Sequence, residues 1–449
     1  MSAVTPASSA TRRPRRLTVI GAGYVGLATA IGLATRGHLI DLIEVRPDRL
    51  EALRAGVLPI HEPGMDAAFA DPSIRDRIRP SDHIVDKRPG IILVCVGTPV
   101  KDGSRSDLSQ VRIALEGARP FLAAGVPLVV RSTLPPGSTA QLVRWADGER
   151  SRIFTNPEFL QQGTALEDFL APTRVVIGTF PGPELVALEM VSDVLKVPGV
   201  PMLTVSVSEA ELIKNTANAF LALKLSFTDE IAGLCEALGA DVMHVLEGIG
   251  LDPRIGRRYM RPGYGFGGSC LPKELRALTN VGRDLGVEMH VTSAASEANE
   301  AHQRRFARRV AAALPPRCRR VALLGLAFKA GTDDVRHAPA LRVAQLLLDR
   351  DLEVVGYDPF AAGNAAIALP ALELASSAEA ALAGAGVAAI TTEWPEFRDL
   401  DWASIGETMA ARIIVDGRRL LDPSMMQSLG FRYEAIGAPA VLAEQPRQE

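Results

Sequence analysis

The first 200 residues alternate short apolar runs with longer segments of helical periodicity. The apolar runs are nearly continuous and end at turn residues: RLTVIG, HLIDLIEV, GIILVCVG, VPLVVRST, SRIFTN and RVVIGTF. Strands that are buried on both faces have this pattern, because helices cover both sides of a parallel sheet. The pattern therefore predicts an α/β domain built on a parallel sheet.

The pattern changes near residue 206. From Ser208 to about Gly239 the chain has neither a proline nor a strand-like run, and we expect one long helix, opened by a capping box of Ser208 and Glu211. Helical periodicity continues after a glycine-rich loop, in LPKELRALTNVGRDLG and TSAASEANEAHQRRFARRVAAAL. The middle of the chain is therefore predicted to be helical.

From about Pro315 the opening plan of strand, glycine turn, helix and strand repeats. RRVALLG, a helix over roughly residues 338–350 and LEVVGYDP form the repeat, and GVAAITTEW and ARIIVDG add two strands. The predicted fold class is α/β, with two Rossmann-type domains joined by a central long-helix region. The expected parts are an N-terminal Rossmann domain over 16–205, a central helical dimerisation region over 206–312, a C-terminal Rossmann-like domain over 316–435, and flexible tails over 1–15 and 436–449.

Composition narrows the classes of function. A net charge of −3 gives no reason to expect nucleic acid or an anionic membrane as a partner. The basic RRPRR and the apolar run after it lack a small-residue cleavage site, which favours a leader before a strand over a signal peptide, and no other stretch is apolar enough to span a bilayer. The four cysteines form no CxxC pair, which argues against a metal site or disulfides and fits the cytoplasm.

A glycine fingerprint follows the first predicted strand. Gly21, Gly23 and Gly26 have G-x-G-x-x-G spacing and open a helix, whose free amides and dipole favour a pyrophosphate. Glu44, at the end of the second strand, can accept hydrogen bonds from a ribose and would repel a 2′-phosphate. The sequence therefore predicts that the cofactor is NAD rather than NADP.

Cys270 stands directly after a glycine cluster, in YGFGGSCLPKE. Glycines let another molecule approach the backbone, whereas a structural thiol is more typical of an apolar strand or helix, so we interpret Cys270 as a nucleophile. Lys214 and Asn218 share one face of the predicted long helix, and most neighbours of Lys214 are apolar. A solvated lysine is the alternative, but a buried ammonium group facing the thiol would stabilise a thiolate and a developing oxyanion.

Other polar residues follow predicted strands. Thr98, Ser132 and Thr133 come after the third and fourth strands, where they either border the cofactor or form turns. Glu158, in NPEFL, is either a general base or a helix-cap charge.

The C-terminal repeat lacks the glycine fingerprint, which argues against a second dinucleotide. FKAGTDDVR stands at that position, and its Lys329 and Arg336 suit a phosphate-bearing ligand. Arg418, after a later strand, is either a further contact to that ligand or a surface arginine.

Taken in order, these motifs resemble those of the nucleotide-sugar 6-dehydrogenases, the family of UDP-glucose and GDP-mannose 6-dehydrogenases. The resemblance runs from about residue 17 to 435 and is carried by GAGYVG, VGTP, STLPPG, NPEFL, ELIKNTANAFLALKLSF, DPRIG, GFGGSCLPK and GLAFKAGTDDVR. It implies NAD-dependent, four-electron oxidation of a sugar C6 alcohol to a carboxylate, with a cysteine that forms a thiohemiacetal and then a thioester. It also implies a homodimer through the long helix, with UDP-glucose as substrate and GDP-mannose as the runner-up.

The resemblance also implies roles for individual residues. Cys270 would be the nucleophile, Lys214 and Asn218 would stabilise oxyanions and position water, and Glu158 with Thr133 would serve acid–base steps. The implied cofactor contacts are Gly21, Gly23, Tyr24, Val25, Gly26, Glu44, Arg49, Thr98, Ser132, Thr133, Gln162 and Arg336. The implied substrate contacts are Glu158, Phe159, Leu160, Lys214, Asn218, Arg254 (from a partner subunit), Arg261, Gly267, Phe328, Lys329 and Arg418.

Two positions depart from the family pattern and keep alternatives open. Glu274, a candidate to order the hydrolytic water, stands where the family usually has aspartate, and Gln162 stands where it usually has an acid. The first alternative is a two-electron hydroxyacid-type dehydrogenase, which needs no cysteine. The second is a non-catalytic protein that binds NAD and a nucleotide sugar.

Overall fold

The computed structural model describes residues 14–60, 62–101, 105–146 and 148–438. The chain divides into two compact units, the first ending at Asn215 and the second beginning at Thr216. Both units are α/β, which confirms the predicted fold class.

The first unit is built on an eight-stranded sheet. Its strands and one short hairpin are β1 Arg16–Ile20, β2 Leu39–Ile43, β3 Ile78–Ser81, β4 Ile92–Val94, β5 Val100–Lys101, β6 Arg105–Ser106, β7 Leu128–Val130, β8 Ile153–Thr155, β9 Val175–Thr179 and β10 Met202–Ser206. The sheet order is β10-β9-β8-β7-β4-β1-β2-β3, and β5 pairs with β6. The prediction of a parallel sheet is wrong at one pairing, because β8 and β9 run antiparallel.

Helices cover both faces of this sheet. They are α1 Tyr24–Thr35, α2 Pro47–Arg54, α3 Met65–Ala70, α4 Pro72–Arg75, α5 Ser109–Ala123, α6 Ser138–Leu142, α7 Ala165–Leu170 and α8 Leu185–Leu195. Two apolar clusters, one containing Leu93 and one containing Val94, bury side chains that alternate along β4. The central strands are therefore apolar on both faces, as the continuous runs predict.

One helix, α9 Val207–Leu238, continues from the first unit into the second, within a residue of its predicted bounds. The predicted capping box is wrong, however. Ser206 and Glu209 form the box: the Ser206 N–H donates to Glu209 at 2.7 Å, and the Glu209 N–H donates to Ser206 Oγ at 3.3 Å. Glu211 instead accepts hydrogen bonds from the backbone N–H groups of Gly137 and Thr139 at 2.6 and 2.8 Å.

The second unit combines helices with a six-stranded parallel sheet of order β13-β12-β11-β14-β15-β16. Its strands are β11 Arg320–Leu324, β12 Glu353–Tyr357, β13 Glu373–Leu374, β14 Val387–Ile390, β15 Ile413–Asp416 and β16 Arg432–Ala435. Its helices after α9 are α10 Val242–Gly250, α11 Leu271–Asp284, α12 His290–Ala313, α13 Pro339–Leu348, α14 Ala362–Ala368, α15 Ala378–Leu382, α16 Trp402–Thr408 and α17 Pro423–Ser428.

The predicted repeat of the opening plan starts alike in both units. Gly21 after β1 and Gly325 after β11 have φ angles of +101° and +98°. Their N–H groups donate to the last residue of the neighbouring strand, Ile43 and Tyr357, at 2.8 and 2.7 Å. The units then differ, because α1 begins three residues after Gly21 whereas α13 begins only at Pro339.

The expected tails lie mostly outside the described residues. Ile436 and Gly437, expected at the start of a flexible tail, are instead held in the fold: Ile436 is 7% exposed, and the Gly437 N–H donates to Glu236 at 2.8 Å. Among the described residues, we find no helix with the length and apolar character needed to cross a bilayer.

Candidate active site

The glycine turn between β1 and α1 is tightly packed at two of its three fingerprint positions. A Cβ atom at Gly21 would lie 2.9 Å from the carbonyl oxygen of Cys95, and one at Gly26 would lie 1.7 Å from the carbonyl oxygen of Gly21. At Gly23, by contrast, no atom of the described chain lies within 4 Å of a Cβ position. The turn is therefore open only at the N-terminus of α1, and this cradle fits the pyrophosphate of NAD.

Glu44 directly follows β2 and is 7% exposed. Its Oε1 accepts the N–H of Arg46 at 2.9 Å, which fixes the carboxylate at the end of the strand. Tyr24 and Val25 form the first turn of α1, and Arg49 lies half-buried in the first turn of α2. A carboxylate in this position suits a ribose hydroxyl and repels a 2′-phosphate, so the residues present fit NAD.

The hydroxyl groups after β4 and β7 join these two strand ends. Thr98 donates to the carbonyl of Thr133 at 3.0 Å, and Ser132 donates to the carbonyl of Val96 at 2.7 Å. Thr98 and Ser132 therefore hold the two loops together at the strand ends.

Glu158 and Lys214 form a buried ion pair. Glu158 Oε1 lies 3.3 Å from Lys214 Nζ, and the two side chains are 5% and 4% exposed. Burial acts to raise the pKa of Glu158, but the Lys214 ammonium, the Leu160 N–H at 2.7 Å and the Arg131 guanidinium together hold it below the usual carboxyl value. Glu158 is therefore ionised at neutral pH and can accept a proton. Thr133 reaches it only by a long 3.4 Å hydrogen bond.

Sequence reasoning missed two arginines near this pair. The Arg174 guanidinium lies 3.7 Å from the ring centroid of Phe159, and Lys214 Nζ lies 5.5 Å from the same centroid. Arg131, 6% exposed, hydrogen-bonds Asn156, and burial lowers its pKa. The available signal was an arginine at the edge of an apolar run, after it in LVVRST and before it in TRVVIG.

Cys270 is exposed and occupies the N-cap position of α11, with Pro272 in the first turn. The partial positive charge of a helix N-terminus favours a thiolate there. One turn into the helix, Glu274 is 1% exposed and accepts a hydrogen bond from the Asn218 side-chain amide at 2.5 Å. The nucleophile candidate thus stands one helical turn from a buried, hydrogen-bonded carboxylate.

The loop after β11 packs on the loop of residues 263–270 that ends at Cys270, called the cysteine loop below. A Cβ atom at Gly268 would lie 2.9 Å from the ring of Phe328, and the Gly268 N–H donates to the carbonyl of Arg336 at 3.0 Å. The Arg336 side chain pairs with Asp334 at 2.6 Å, and Lys329 Nζ lies 5.8 Å from the centroid of Phe328. These C-terminal candidates therefore lie beside the cysteine loop.

Arg418 is a largely buried residue rather than a surface arginine, with a side chain that is 16% exposed. Its guanidinium stacks 4.7 Å from the ring centroid of Tyr264, and its Nε donates to the carbonyl of Thr391 at 3.0 Å. Glu393 lies 3.4 Å away. Arg418 is thus fixed against the cysteine loop.

Three other substrate candidates make none of these contacts: two are exposed, and the third is a glycine packed against the protein's own backbone. The Arg254 side chain is 87% exposed and pairs with Asp252 at 2.6 Å, and Arg261 is also exposed. At Gly267 a Cβ atom would lie 2.2 Å from the carbonyl oxygen of His337, so the protein's own backbone already requires glycine there.

The candidates fall into two sets, one in each unit. The first set is Gly21, Gly23, Tyr24, Val25, Gly26, Glu44, Arg49, Thr98, Ser132, Thr133, Glu158, Phe159, Leu160, Gln162 and Lys214. The second set is Asn218, Arg254, Arg261, Gly267, Cys270, Glu274, Phe328, Lys329, Arg336 and Arg418. Within the described ranges, no group of three His, Cys, Asp or Glu side chains is arranged to hold a metal ion.

Three family models match the chain in order. They describe the UDP-glucose/GDP-mannose dehydrogenase family: its NAD binding domain over residues 15–195, its central domain over 208–301 and its UDP binding domain over 322–423. The NAD binding domain model covers the open glycine turn of the first unit, and the UDP binding domain model covers the loops of the second unit that carry positively charged candidate residues.

Individual relatives match over nearly the full length. The UDP-glucose 6-dehydrogenase of Rhizobium meliloti is 36% identical, over 94% of this chain and 100% of that protein. The UDP-glucose 6-dehydrogenase of Pseudomonas aeruginosa is 37% identical, over 94% and 98%. The solved UDP-glucose dehydrogenase of Pyrobaculum islandicum is 35% identical with a TM-score of 0.83, covering 96% of this chain and 100% of that one.

Proposed function

This chain belongs to the UDP-glucose/GDP-mannose dehydrogenase family and is an NAD-dependent nucleotide-sugar dehydrogenase, and we propose that it oxidises C6 of UDP-glucose to the carboxylate through a thioester on Cys270. The observation that carries the proposal is the placing of Cys270 at the N-terminus of α11, one turn before the buried Glu274–Asn218 pair. UDP is proposed because relatives that match over nearly the full length are named UDP-glucose 6-dehydrogenases.

When bound, NAD⁺ supplies the acceptor for the hydrides that leave C6. The chain's part is to hold the dinucleotide at the turn of Gly21, Gly23 and Gly26 and to bind its ribose with the Glu44 carboxylate. These residues orient the cofactor and leave the covalent chemistry to the thiol.

Cys270 traps the half-oxidised sugar. Its thiolate sulfur forms a bond to the C6 aldehyde carbon, and the former carbonyl oxygen takes up a proton to give a thiohemiacetal. Loss of a hydride from C6 and of a proton from the thiohemiacetal hydroxyl then gives the thioester. Water then adds to the carbonyl carbon, the C–S bond breaks, and the carboxylate leaves with the thiol regenerated. We assign the proton transfer from that water to the Glu274 carboxylate, which accepts the Asn218 amide at 2.5 Å and lies one helical turn from Cys270; these contacts support the assignment.

Glu158 and Lys214 are proposed to serve the acid–base steps. The ionised Glu158 can accept a proton, and the buried Lys214 ammonium can stabilise an oxyanion. Because their charges are coupled at 3.3 Å, a proton gained by one changes the charge that stabilises the other.

The deciding measurement is the number of NADH molecules formed per nucleotide sugar, with UDP-glucose, GDP-mannose and UDP-N-acetylmannosamine compared. About two NADH per UDP-glucose is expected, and none after Cys270→Ser beyond a slow residual rate. A ratio of about two with GDP-mannose alone would replace the substrate assignment. Full turnover by Cys270→Ser would favour a two-electron hydroxyacid-type dehydrogenase, and tight sugar-nucleotide binding without NADH would favour a binding protein.

A homodimer through α9 is the second part of the proposal. Three large apolar side chains spaced seven residues apart on this helix, Phe220, Phe227 and Leu234, are 62%, 50% and 54% exposed. An apolar stripe of this kind on a long helix suits burial against a second copy of the same helix. The exposed Arg254 would then act on the substrate of the partner subunit.

A further inference from the structure

Asp229 on α9 holds the start of the cysteine loop, residues 263–270. Asp229 is 4% exposed, and its Oδ1 accepts the N–H of Gly263 at 2.6 Å. This is a short, charge-assisted hydrogen bond to the first residue of the loop that ends at Cys270.

A second side chain fixes the middle of the same loop. Asn299 on α12 accepts the N–H of Phe266 at 2.7 Å and donates to the carbonyl of Phe266 at 3.1 Å. Gly265, with φ of +121°, leaves room for this amide, since a Cβ atom there would lie 2.8 Å from Asn299 Oδ1. The cysteine loop is therefore held by side chains of two helices and has little freedom to shift.

Asp229 also acts on Arg418. A Cβ atom at Gly263 would lie 3.2 Å from Arg418 Nη1 and 3.8 Å from Asp229 Oδ1, so the guanidinium and the carboxylate both border the start of the loop. Burial opposes the charge of Arg418, but Tyr264, Glu393 and Asp229 outweigh it and raise the pKa of Arg418 above its ordinary value. Asp229 is therefore part of what keeps this buried cation in place.

We propose that Asp229 is a positioning residue whose carboxylate holds the cysteine loop through Gly263 and holds Arg418 by its charge, so that the thiol and the nucleotide-binding arginine keep one fixed arrangement. The proposal rests on the proposed roles of Cys270 and Arg418. It assigns to Asp229 two separable effects, a hydrogen bond that matters for the thiol and a charge that matters for the nucleotide sugar.

The surroundings of Asp229 connect this role to pH. Burial raises the pKa of Asp229 to about 7, against the Gly263 N–H, the Arg418 charge, the Gly265 N–H and the Arg305 charge. The other titratable or charged groups that line the same small cavity are His302, Tyr264 and Arg309. As the pH falls through about 7, protonation removes the negative charge beside Arg418, so affinity for the nucleotide sugar is expected to fall on the acid side.

The test compares full-length Asp229→Asn and Asp229→Ala with Glu236→Gln. Glu236 lies on the same helix and pairs with Arg305 and Arg309 across to α12, but it bonds no residue of the cysteine loop. The measurements are kcat and KM for UDP-glucose over pH 6 to 9, and the rate at which iodoacetamide alkylates Cys270, followed by mass spectrometry of its peptide.

We expect Asp229→Asn, which keeps an acceptor for Gly263, to retain kcat and the alkylation rate but to raise KM about tenfold above pH 7 and to lose the acid-side change in KM. Asp229→Ala should also lower kcat about tenfold and change the alkylation rate, whereas Glu236→Gln should keep the kcat and the alkylation rate of the wild type. Equal loss in kcat and in KM for both Asp229 variants, or no change in either, would overturn the proposal.

Two features keep the test independent of other failures. If Asp229→Ala does not fold, the KM-against-kcat split and the pH profile of Asp229→Asn still decide the outcome. If Cys270→Ser keeps full turnover, the proposed thioester chemistry fails, while the alkylation rate and the KM for UDP-glucose still report on whether Asp229 positions the loop and Arg418.

Discussion

Removing the Lys214 charge tests the electrostatics of the first unit most directly. Lys214 and Glu158 are 3.3 Å apart and almost fully buried. At an effective dielectric constant of about 20, two unit charges at this distance attract by about 5 kcal/mol. Lys214→Met leaves the Glu158 carboxylate buried without its main partner, so we expect a loss of about 3–5 kcal/mol in the free energy of unfolding of the first unit.

The pH dependence gives this prediction a sign. In the wild type the pKa of Glu158 is held below its ordinary value, so the ion pair contributes stability above about pH 4.5 that is lost as the pH falls through the folded-state pKa. In Lys214→Met, burial dominates and raises that pKa, so the ionised carboxylate costs stability as the pH rises through it. The gap in stability between wild type and variant should therefore be larger at pH 8 than at pH 5.

Calorimetric melting temperatures at pH 5 and pH 8 measure both effects, at about 2–4 °C per kcal/mol for a unit of this size. Lys196→Met, which removes an exposed lysine of the same unit, is the control and should shift the melting temperature little. The double variant Lys214→Met with Glu158→Gln should recover much of the loss, because no unpaired charge remains. A Lys214→Met shift no larger than that of Lys196→Met, or one independent of pH, would refute the reasoning.

Three further predictions address the cofactor, the hydrolytic step and the assembly. Gly26→Ala places a Cβ atom 1.7 Å from the Gly21 carbonyl oxygen and should weaken NAD binding at least about tenfold by calorimetric titration, whereas Gly117→Ala, on α5 with no described atom within 4 Å, should not. Glu274→Gln keeps the contact to Asn218 but removes the proton acceptor, so a thioester should accumulate on Cys270 and appear in the intact mass, whereas Glu274→Asp should turn over without accumulating it; no adduct in the Gln variant at reduced turnover contradicts this. Phe227→Arg should convert the proposed dimer to a monomer in light scattering, whereas Leu285→Arg, at a 73% exposed position between α11 and α12, should not; equal masses for both variants would exclude α9 as the interface.

The sequence predicted the central strands and missed those at the sheet edges. Every strand that appears as a continuous apolar run lies inside one of the two sheets, because both its faces are covered. Within these two sheets the missed strands, β3, β10, β13 and β16, are the four edge strands, and the short β5–β6 hairpin outside them was missed as well. β10 is largely exposed, β13 has only two residues, and β3 and β16 (IRPS and RYEA) contain charged residues, so none of them shows the apolar run that marks a covered strand.

Candidate residues for the site could be proposed from the sequence, but the contacts between them could not. Cys270, Lys214 and Glu158 could be chosen from residue type and position, since a thiol, an amine and a carboxylate at loop and strand ends suggest chemistry. Which groups meet could not be chosen: Asn218 shares a helix face with Lys214, but its hydrogen bond goes to Glu274, 56 residues away along the chain. Such pairings depend on tertiary packing, which local periodicity does not encode.

The two Rossmann-type repeats differ in what lies against the turn after their first strand. Glu44 and Asp358 each directly follow the second strand of their repeat. Glu44 accepts an N–H from its own turn, that of Arg46, whereas Asp358 accepts the N–H groups of Leu326 and Ala327 at 2.7 and 3.0 Å. Those are the amides just after the glycine turn, the position at which the first unit is open to a pyrophosphate.

The carboxylate of Asp358, which is one methylene shorter than a glutamate, therefore accepts the hydrogen bonds that these amides could otherwise donate to a bound anion. Its carboxylate also accepts the Trp394 indole N–H at 3.0 Å and the backbone N–H of Ala361 at 2.7 Å, so it closes the second turn with the protein's own negative charge. Because the Asp358 carboxylate occupies this position, the second unit, within its described residues, has no helix N-terminus open at its glycine turn. The long loop after β11 carries positively charged side chains there instead. The same fold thus carries a phosphate cradle made of backbone amides in one repeat and positively charged side chains in the other.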